Sequence, residues 1–167
     1  MKVIHKSYKF KIAPDNEQKE LLAKHFGACR FVFNRYLNSR KETYLEEKKS
    51  LNYYDNANDL TVLKKDEQFV WLKEINSQSL QSSLRNLDTA YNKFFRKQTK
   101  FPRFKSKFDK QSFTIPQSVY IEDGKLQIPK FKKGIEINIH REIKGKLLFA
   151  TISKSTTGKY YVSITCE

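Results

Sequence analysis

Three features of this 167-residue sequence predict an α+β fold in which helices interrupt a small antiparallel sheet or barrel. Residues 3–12, VIHKSYKFKI, set Tyr8, Phe10 and Ile12 at period two, as in a strand with one buried face. Leu80, Leu84, Leu87, Tyr91 and Phe94 step by four, three, four and three, as in a helix with one apolar stripe. From about residue 118 alternation returns with two hairpin signals. An isolated strand is not stable in water. The later strands are the evident partner of the first, so the helices read as an insertion between them.

Taken in order, Ala13-Pro14-Asp15 ends the first strand, and Asp15 with Gln18 forms a capping box for a helix. Leu21, Leu22, His25 and Phe26 share its apolar face. Gly27 predicts a kink or break before the pattern resumes through Phe31, Val32, Phe33, Tyr36 and Leu37 to about Glu47. LNYYDN (51–56) reads as a turn, and a short helix over about 56–68 turns Leu60 and Leu63 inward. Trp71 and Leu72 read as an apolar plug. Asn76 or Ser77 caps the leucine-striped helix. After Pro102, SVYIEDGKLQIP is a hairpin around Asp123-Gly124, IEINIHRE alternates, and LLFATISKS and KYYVSITCE flank a second hairpin at Thr156-Thr157-Gly158.

Lysine and arginine outnumber aspartate and glutamate by 33 to 18, a net charge of +15. That excess attracts polyanions, and 13 Phe and 9 Tyr exclude a disordered basic tail. Cations with exposed rings suit nucleic acid, above all unpaired strands. Cys29 and Cys166 lack a CxxC neighbour, so neither zinc nor a redox pair is signalled. There is no signal-like leader and no apolar run near the ~20 residues of a membrane span. A cytoplasmic protein without a membrane partner is expected.

No nucleophile motif, HExxH or P-loop is present, and His5, His25 and His140 are scattered. No catalytic residue and no metal site is expected. Two stretches carry binding chemistry instead. Gln78, Gln81, Ser82 and Arg85 recur at i, i+3, i+4 and i+7, a polar stripe able to meet base edges and phosphates. The same pattern also fits an ordinary wet helix face. From Arg96 to Phe113, seven cations alternate with Phe101, Phe104, Phe108 and Phe113. Arg30, Arg35, Arg40 and Lys41 could extend that basic surface.

The runs YKFKIAPDNEQKELLAKHFGACRFVFNRYL, LNYYDNANDLTVLKK, WLKEINSQSLQSSLRNLDTAYNKFF, FPRFKSKFDKQSFTIPQ, GKLQIPK and GKYYVSITCE occur in this order over essentially the whole chain. Together they resemble the N-terminal half of TnpB, the OrfB transposase-named family of insertion sequences related to type V CRISPR effectors. The resemblance implies a wedge-type β-barrel that begins in residues 1–13 and resumes over 100–167. An α-helical recognition lobe is inserted over 14–99. It also implies a guide (ω) RNA partner and duplex DNA bearing a short adjacent motif. DNA-motif contacts carry over to Tyr53, Ser77, Gln78 and Gln81, and to Ile115, Pro116 and Gln117. RNA or phosphate contacts are assigned to Arg30, Arg35, Arg40, Arg85, Lys93, Arg96, Lys97, Lys100, Arg103, Lys105 and Lys107. The sequence stops at Cys166-Glu167, where the family's RuvC segment would begin, so magnesium, zinc and the catalytic acids are expected elsewhere. This chain alone is expected to bind without cutting, and a separate RuvC-containing chain is a conceivable partner. A self-sufficient transposase or nuclease is the competing reading; it lacks a visible acid cluster.

Overall fold

The computed structural model describes residues 2–167. Its elements are β1 (Lys6–Ala13), α1 (Asn16–Glu47), α2 (Tyr53–Leu63), a 3-10 helix (Glu67–Glu74), α3 (Ser77–Phe95), β2 (Gln111–Ile115), β3 (Tyr120–Glu122), β4 (Lys125–Ile128), β5 (Phe131–Asn138), β6 (Leu147–Lys154) and β7 (Tyr160–Cys166). The chain divides into two compact units, one of residues 1–26 with 108–167, the other of residues 27–107.

The first unit is one antiparallel sheet in the order β2-β6-β7-β1-β5-β4-β3. The expected pairing of the N-terminal strand is found. β1 lies between β7 and β5, with Lys6 opposite Cys166 and Ile12 opposite both Tyr160 and Ile137. Its period-two face is Tyr8, Phe10 and Ile12, each at most 3% exposed. Full burial of such side chains is worth about 1.5–3 kcal/mol apiece. The sheet curls into a half-barrel but does not close, since β2 and β3 are its two edges. β2 is an element the sequence reading missed; its five residues pair with β6. The Asp123-Gly124 hairpin is confirmed: both residues have positive φ, 53° and 69°, as a two-residue primed turn requires.

The start of α1 packs within this unit. Asp15 and Gln18 exchange the two capping-box hydrogen bonds, at 2.8 and 2.9 Å. The Gln18 side-chain amide donates to the Gly134 carbonyl. Gly134 has φ of 70°, and a Cβ there would meet the Gln127 side chain at 2.6 Å, so glycine suits this point of β5. His25 is fully buried between Phe113 and Phe131, with ring centroids 5.2 and 5.3 Å away.

The second unit is helical. α1 is helical without interruption through Gly27, so the expected break is absent; one interior glycine costs only about 1 kcal/mol in a helix. α2 begins three residues earlier than the sequence suggests, because Asn52 and Asp55 form a complete capping box inside the stretch read as a turn. Leu60 and Leu63 face inward as expected. Leu72 is buried but Trp71 is 40% exposed, so only half of the expected plug lies in the core. On α3, Leu80, Leu84 and Leu87 are completely buried. Small residues let α1 and α3 approach closely: the Ser83 hydroxyl donates to the Cys29 carbonyl at 2.7 Å, and the Cys29 thiol reaches the Ser79 carbonyl at 3.7 Å. Burial pushes the Cys29 thiol up to about 12, which marks it as an inert packing residue.

His25 gives the first unit a pH dependence. Burial, reinforced by Lys130, lowers its pKa below 6.5, against a smaller opposing effect of its bond to the Leu21 carbonyl. The folded state therefore binds fewer protons than the unfolded chain once pH falls below about 6.5. Stability is full above that pH and declines below it, by at most about 1.4 kcal/mol per pH unit. Urea midpoints at pH 7.5 and 5.5 should differ in the wild type and differ less in His25→Phe.

Candidate nucleic-acid interface

The residues expected to bind nucleic acid sort into three clusters of the helical unit and one loop of the sheet unit. The first cluster is built on α3 and the start of α2. Ser77, Gln81 and Arg85 are exposed at i, i+4 and i+8, with half-buried Gln78 beside them. Ser82 is 8% exposed and so leaves the polar stripe: α3 turns it toward the interior with Ser79 and Ser83. Tyr53 is the first residue of α2, held there by the Asn52 cap. The Arg85 guanidinium lies over the Tyr53 ring, 4.3 Å from its centroid. Tyr54 stands edge-on to the same ring at 5.3 Å and is 71% exposed. Arg85, assigned to phosphate, thus shares a site with Tyr53, assigned to DNA. Their pairing has no local sequence signal, because the residues are on different helices.

The second cluster is on the outer side of α1. Arg35 caps the Phe69 ring at 4.9 Å, and Phe31 contacts both Phe69 and Trp71, at 5.7 and 5.5 Å. Arg30, Arg35, Phe31, Asn34 and Gly27 line a hollow of about 520 Å³. Sequence reasoning missed Phe69 and Trp71 as surface aromatics; the charged residues around them (DEQFVWLKE) were the available signal.

The third cluster is the basic aromatic tail. α3 ends with Lys97 at φ of 61°, with Gln98 N–H bonded to Lys93 O and Lys97 N–H to Phe94 O. That is a Schellman closure with lysine at the usual glycine position. The chain then returns along α1. The Asn34 side-chain amide donates to Lys105 O at 2.9 Å and accepts from Lys105 N–H at 2.7 Å, a two-point clamp on the loop backbone. The Lys105 ammonium lies over Phe33 at 4.5 Å, and Lys41 lies over both Phe101 and Phe104, at 5.6 and 5.1 Å. Lys93, Arg96, Lys97, Lys100, Arg103, Lys105 and Lys107 are all exposed.

Arg40 is not on this surface. It is 5% exposed, bonds Asn56 Oδ1 at 2.7 Å and Asp88 Oδ1 at 3.0 Å, and covers the Tyr91 ring at 5.0 Å. Its charge is used to satisfy the interior, which corrects its assignment as a phosphate contact. In the sheet unit, Pro116 and Gln117 are exposed just after β2, whereas Ile115 is 1% exposed and belongs to the sheet core, which corrects its assignment as a DNA contact. Among the described residues, no group of three His, Cys, Asp or Glu is placed to hold a metal ion.

Comparison with known proteins adds ancestry to this geometry. A family model described as a helix-turn-helix domain of the OrfB type matches residues 1–49. "Putative RNA-guided DNA endonuclease InsQ" of Escherichia coli K12 is 36% identical over 163 residues, covering 96% of this chain and 40% of that protein. A Streptomyces pristinaespiralis protein of the same description is 31% identical over 171 residues, covering all of this chain and 42% of its own length. The chain belongs to the TnpB (OrfB) family. It spans about two-fifths of the length of these two relatives. It is also 35% identical over 108 residues to the virulence protein VsdF of Salmonella dublin, covering 59% of this chain and 91% of VsdF. In this TnpB-family chain, the segment matched as helix-turn-helix folds as β1 and a single 32-residue helix with no turn at Gly27.

The clamp is directly testable. Asn34→Ala removes two backbone bonds from an exposed loop, so the global loss should be about 1 kcal/mol. Limited trypsin digestion should cut after Lys100, Arg103 or Lys105 several-fold faster in the variant. Equal cutting rates would show that the loop is held by its aromatic contacts alone.

Proposed function

We propose that this chain is the wedge and recognition portion of a TnpB-type RNA-guided DNA endonuclease. In this reading residues 1–13 and 100–167 form the wedge, and 14–99 form the recognition lobe. The module holds a guide RNA and reads a short motif in duplex DNA, in the cytoplasm, while strand cleavage belongs to RuvC-type and zinc-binding parts that carry the magnesium and zinc. The carrying observation is the meeting of Arg85 with Tyr53 beside Gln81. A guanidinium stacked on a ring is held in one plane, which suits a bidentate contact to guanine or phosphate. Gln81 and Gln78, about one and two helical turns before Arg85, offer paired donors and acceptors of the kind that read adenine. The family relationship supports RNA and DNA as the partner classes.

The tail supplies the nonspecific component. Fixed aromatics hold Lys100, Arg103, Lys105 and Lys107 on one loop, and the clamp at Lys105 keeps that loop ordered. Such cations bind phosphates irrespective of sequence and give salt-dependent affinity.

Expressing the chain with its native flanking DNA, purifying it at moderate salt and sequencing the bound RNA tests this reading. One discrete RNA ending at the element boundary is expected; a heterogeneous mixture lost at high salt would refute it. With that RNA bound, Gln81→Ala should reduce discrimination between motif and non-motif duplexes by about 1–3 kcal/mol. Lys105→Glu should weaken binding to both duplexes alike. Measured affinities that keep full discrimination in Gln81→Ala would remove its base-reading role.

A further inference from the structure

A second concave feature of the helical unit adjoins the basic aromatic tail and shares Lys41 and Phe101 with it. The C-terminal half of α1 and the end of α3 enclose a cavity of about 540 Å³, the size of a small-ligand site. Its large apolar walls include Tyr44 and Leu45 from α1, Tyr91, Phe94 and Phe95 from α3, and Phe101 from the tail. Tyr44, Leu45 and Phe95 are 53%, 72% and 66% exposed, an unusual cost for side chains of this size at the surface. The rings are fixed relative to one another: Phe101 stands edge-on to Tyr91 and Phe94, at 5.5 and 5.2 Å.

The charges around this bowl are what decide its occupant. Its walls carry only two charged residues, both cationic. Arg40 is neutralised by Asp88, which leaves Lys41 as the uncompensated charge. Lys48 lies against Tyr44, with its ammonium 5.6 Å from the ring, and Arg96 and Lys97 follow Phe95 directly. Exposed ring faces beside ammonium and guanidinium groups match a flat π-system attached to a phosphate chain. An apolar protein segment would fill the walls but would leave these cations without a counter-charge.

We propose that this bowl seats an unpaired nucleobase of a single-stranded polynucleotide, with Phe95 and Tyr44 as stacking surfaces and Lys48, Arg96 and Lys97 on the flanking phosphates. The proposal rests on the reading that the chain binds nucleic acid, and adds a base-stacking site to it. Both rings are more than half exposed, so Phe95→Ala and Tyr44→Ala should leave circular dichroism unchanged and lower the melting temperature little. The probes are a fluorescent 12-nucleotide mixed-sequence RNA, its DNA equivalent, and the duplex form of each. Each alanine variant should lose about tenfold in affinity for single strands at constant salt slope, and little for duplexes. Phe95→Tyr should restore binding. Loss confined to RNA assigns the base to RNA, and loss on both strands assigns the site to single strands of either sugar. Unchanged single-strand affinity, or equal loss on duplexes, overturns the pocket while leaving nucleic-acid binding by the chain intact. Absence of all binding by the wild type overturns the broader reading as well.

Discussion

The pairing of the first strand with the last is the constraint on which the sheet unit depends. β1 fits between β7 and β5, and Ser7 bonds the Thr165 side chain across a separation of 158 residues. Without β1, the strands on its two sides have no common neighbour and the sheet divides. Closing so long a loop is less costly than its length suggests, because closure entropy grows only logarithmically: doubling the loop adds about 0.6 kcal/mol. Burial of Tyr8, Phe10 and Ile12 offsets that readily. A helical insertion of some eighty residues is therefore compatible with a small sheet, provided β1 keeps its alternating face.

In the helical unit the controlling problem is charge. With an excess of 15 cations, the chain must keep most of them in water and satisfy any that enters the core. Arg40 shows the solution: Asn56 from α2 and Asp88 and Tyr91 from α3 surround it. Tyr36 is treated similarly, its hydroxyl donating to Asp59 at 2.7 Å, and burial with that bond holds its phenol well above the usual range. The remaining cations face outward, and many lie against aromatic rings. Those contacts shorten the reach of flexible side chains, so the charge is presented at defined places.

The parts of this fold legible in the sequence were those carried by periodicity. The faces of β1 and α3, the Asp15–Gln18 cap and the Asp123-Gly124 turn follow from spacing and local chemistry. The failures lie where distant contacts decide. Gly27 is a helix residue because the helix continues to bury apolar residues on both sides of it. β2 reads as part of a basic loop until β6 supplies its partner. Arg40 looks like its exposed neighbours on α1, and only Asn56 and Asp88 make it interior. The candidate interface was half legible: the glutamines follow from helix spacing, whereas the Arg85–Tyr53 stack and the Phe95 bowl require the tertiary fold.

Both long helices of the second unit end in a lysine with left-handed backbone, Lys48 at φ 55° and Lys97 at φ 61°. For a residue with a side chain that conformation costs about 1–2 kcal/mol, which glycine would avoid. A cation at a helix C-terminus recovers about 0.3–1 kcal/mol from the helix dipole, less than the full cost. Two positions thus forgo stability that the commonest helix-ending residue would supply. A protein improved for thermal tolerance alone would accept glycine at both. Doing so here would strip the flanks of the aromatic bowl of two positive charges, setting melting temperature against ligand affinity at the same two residues.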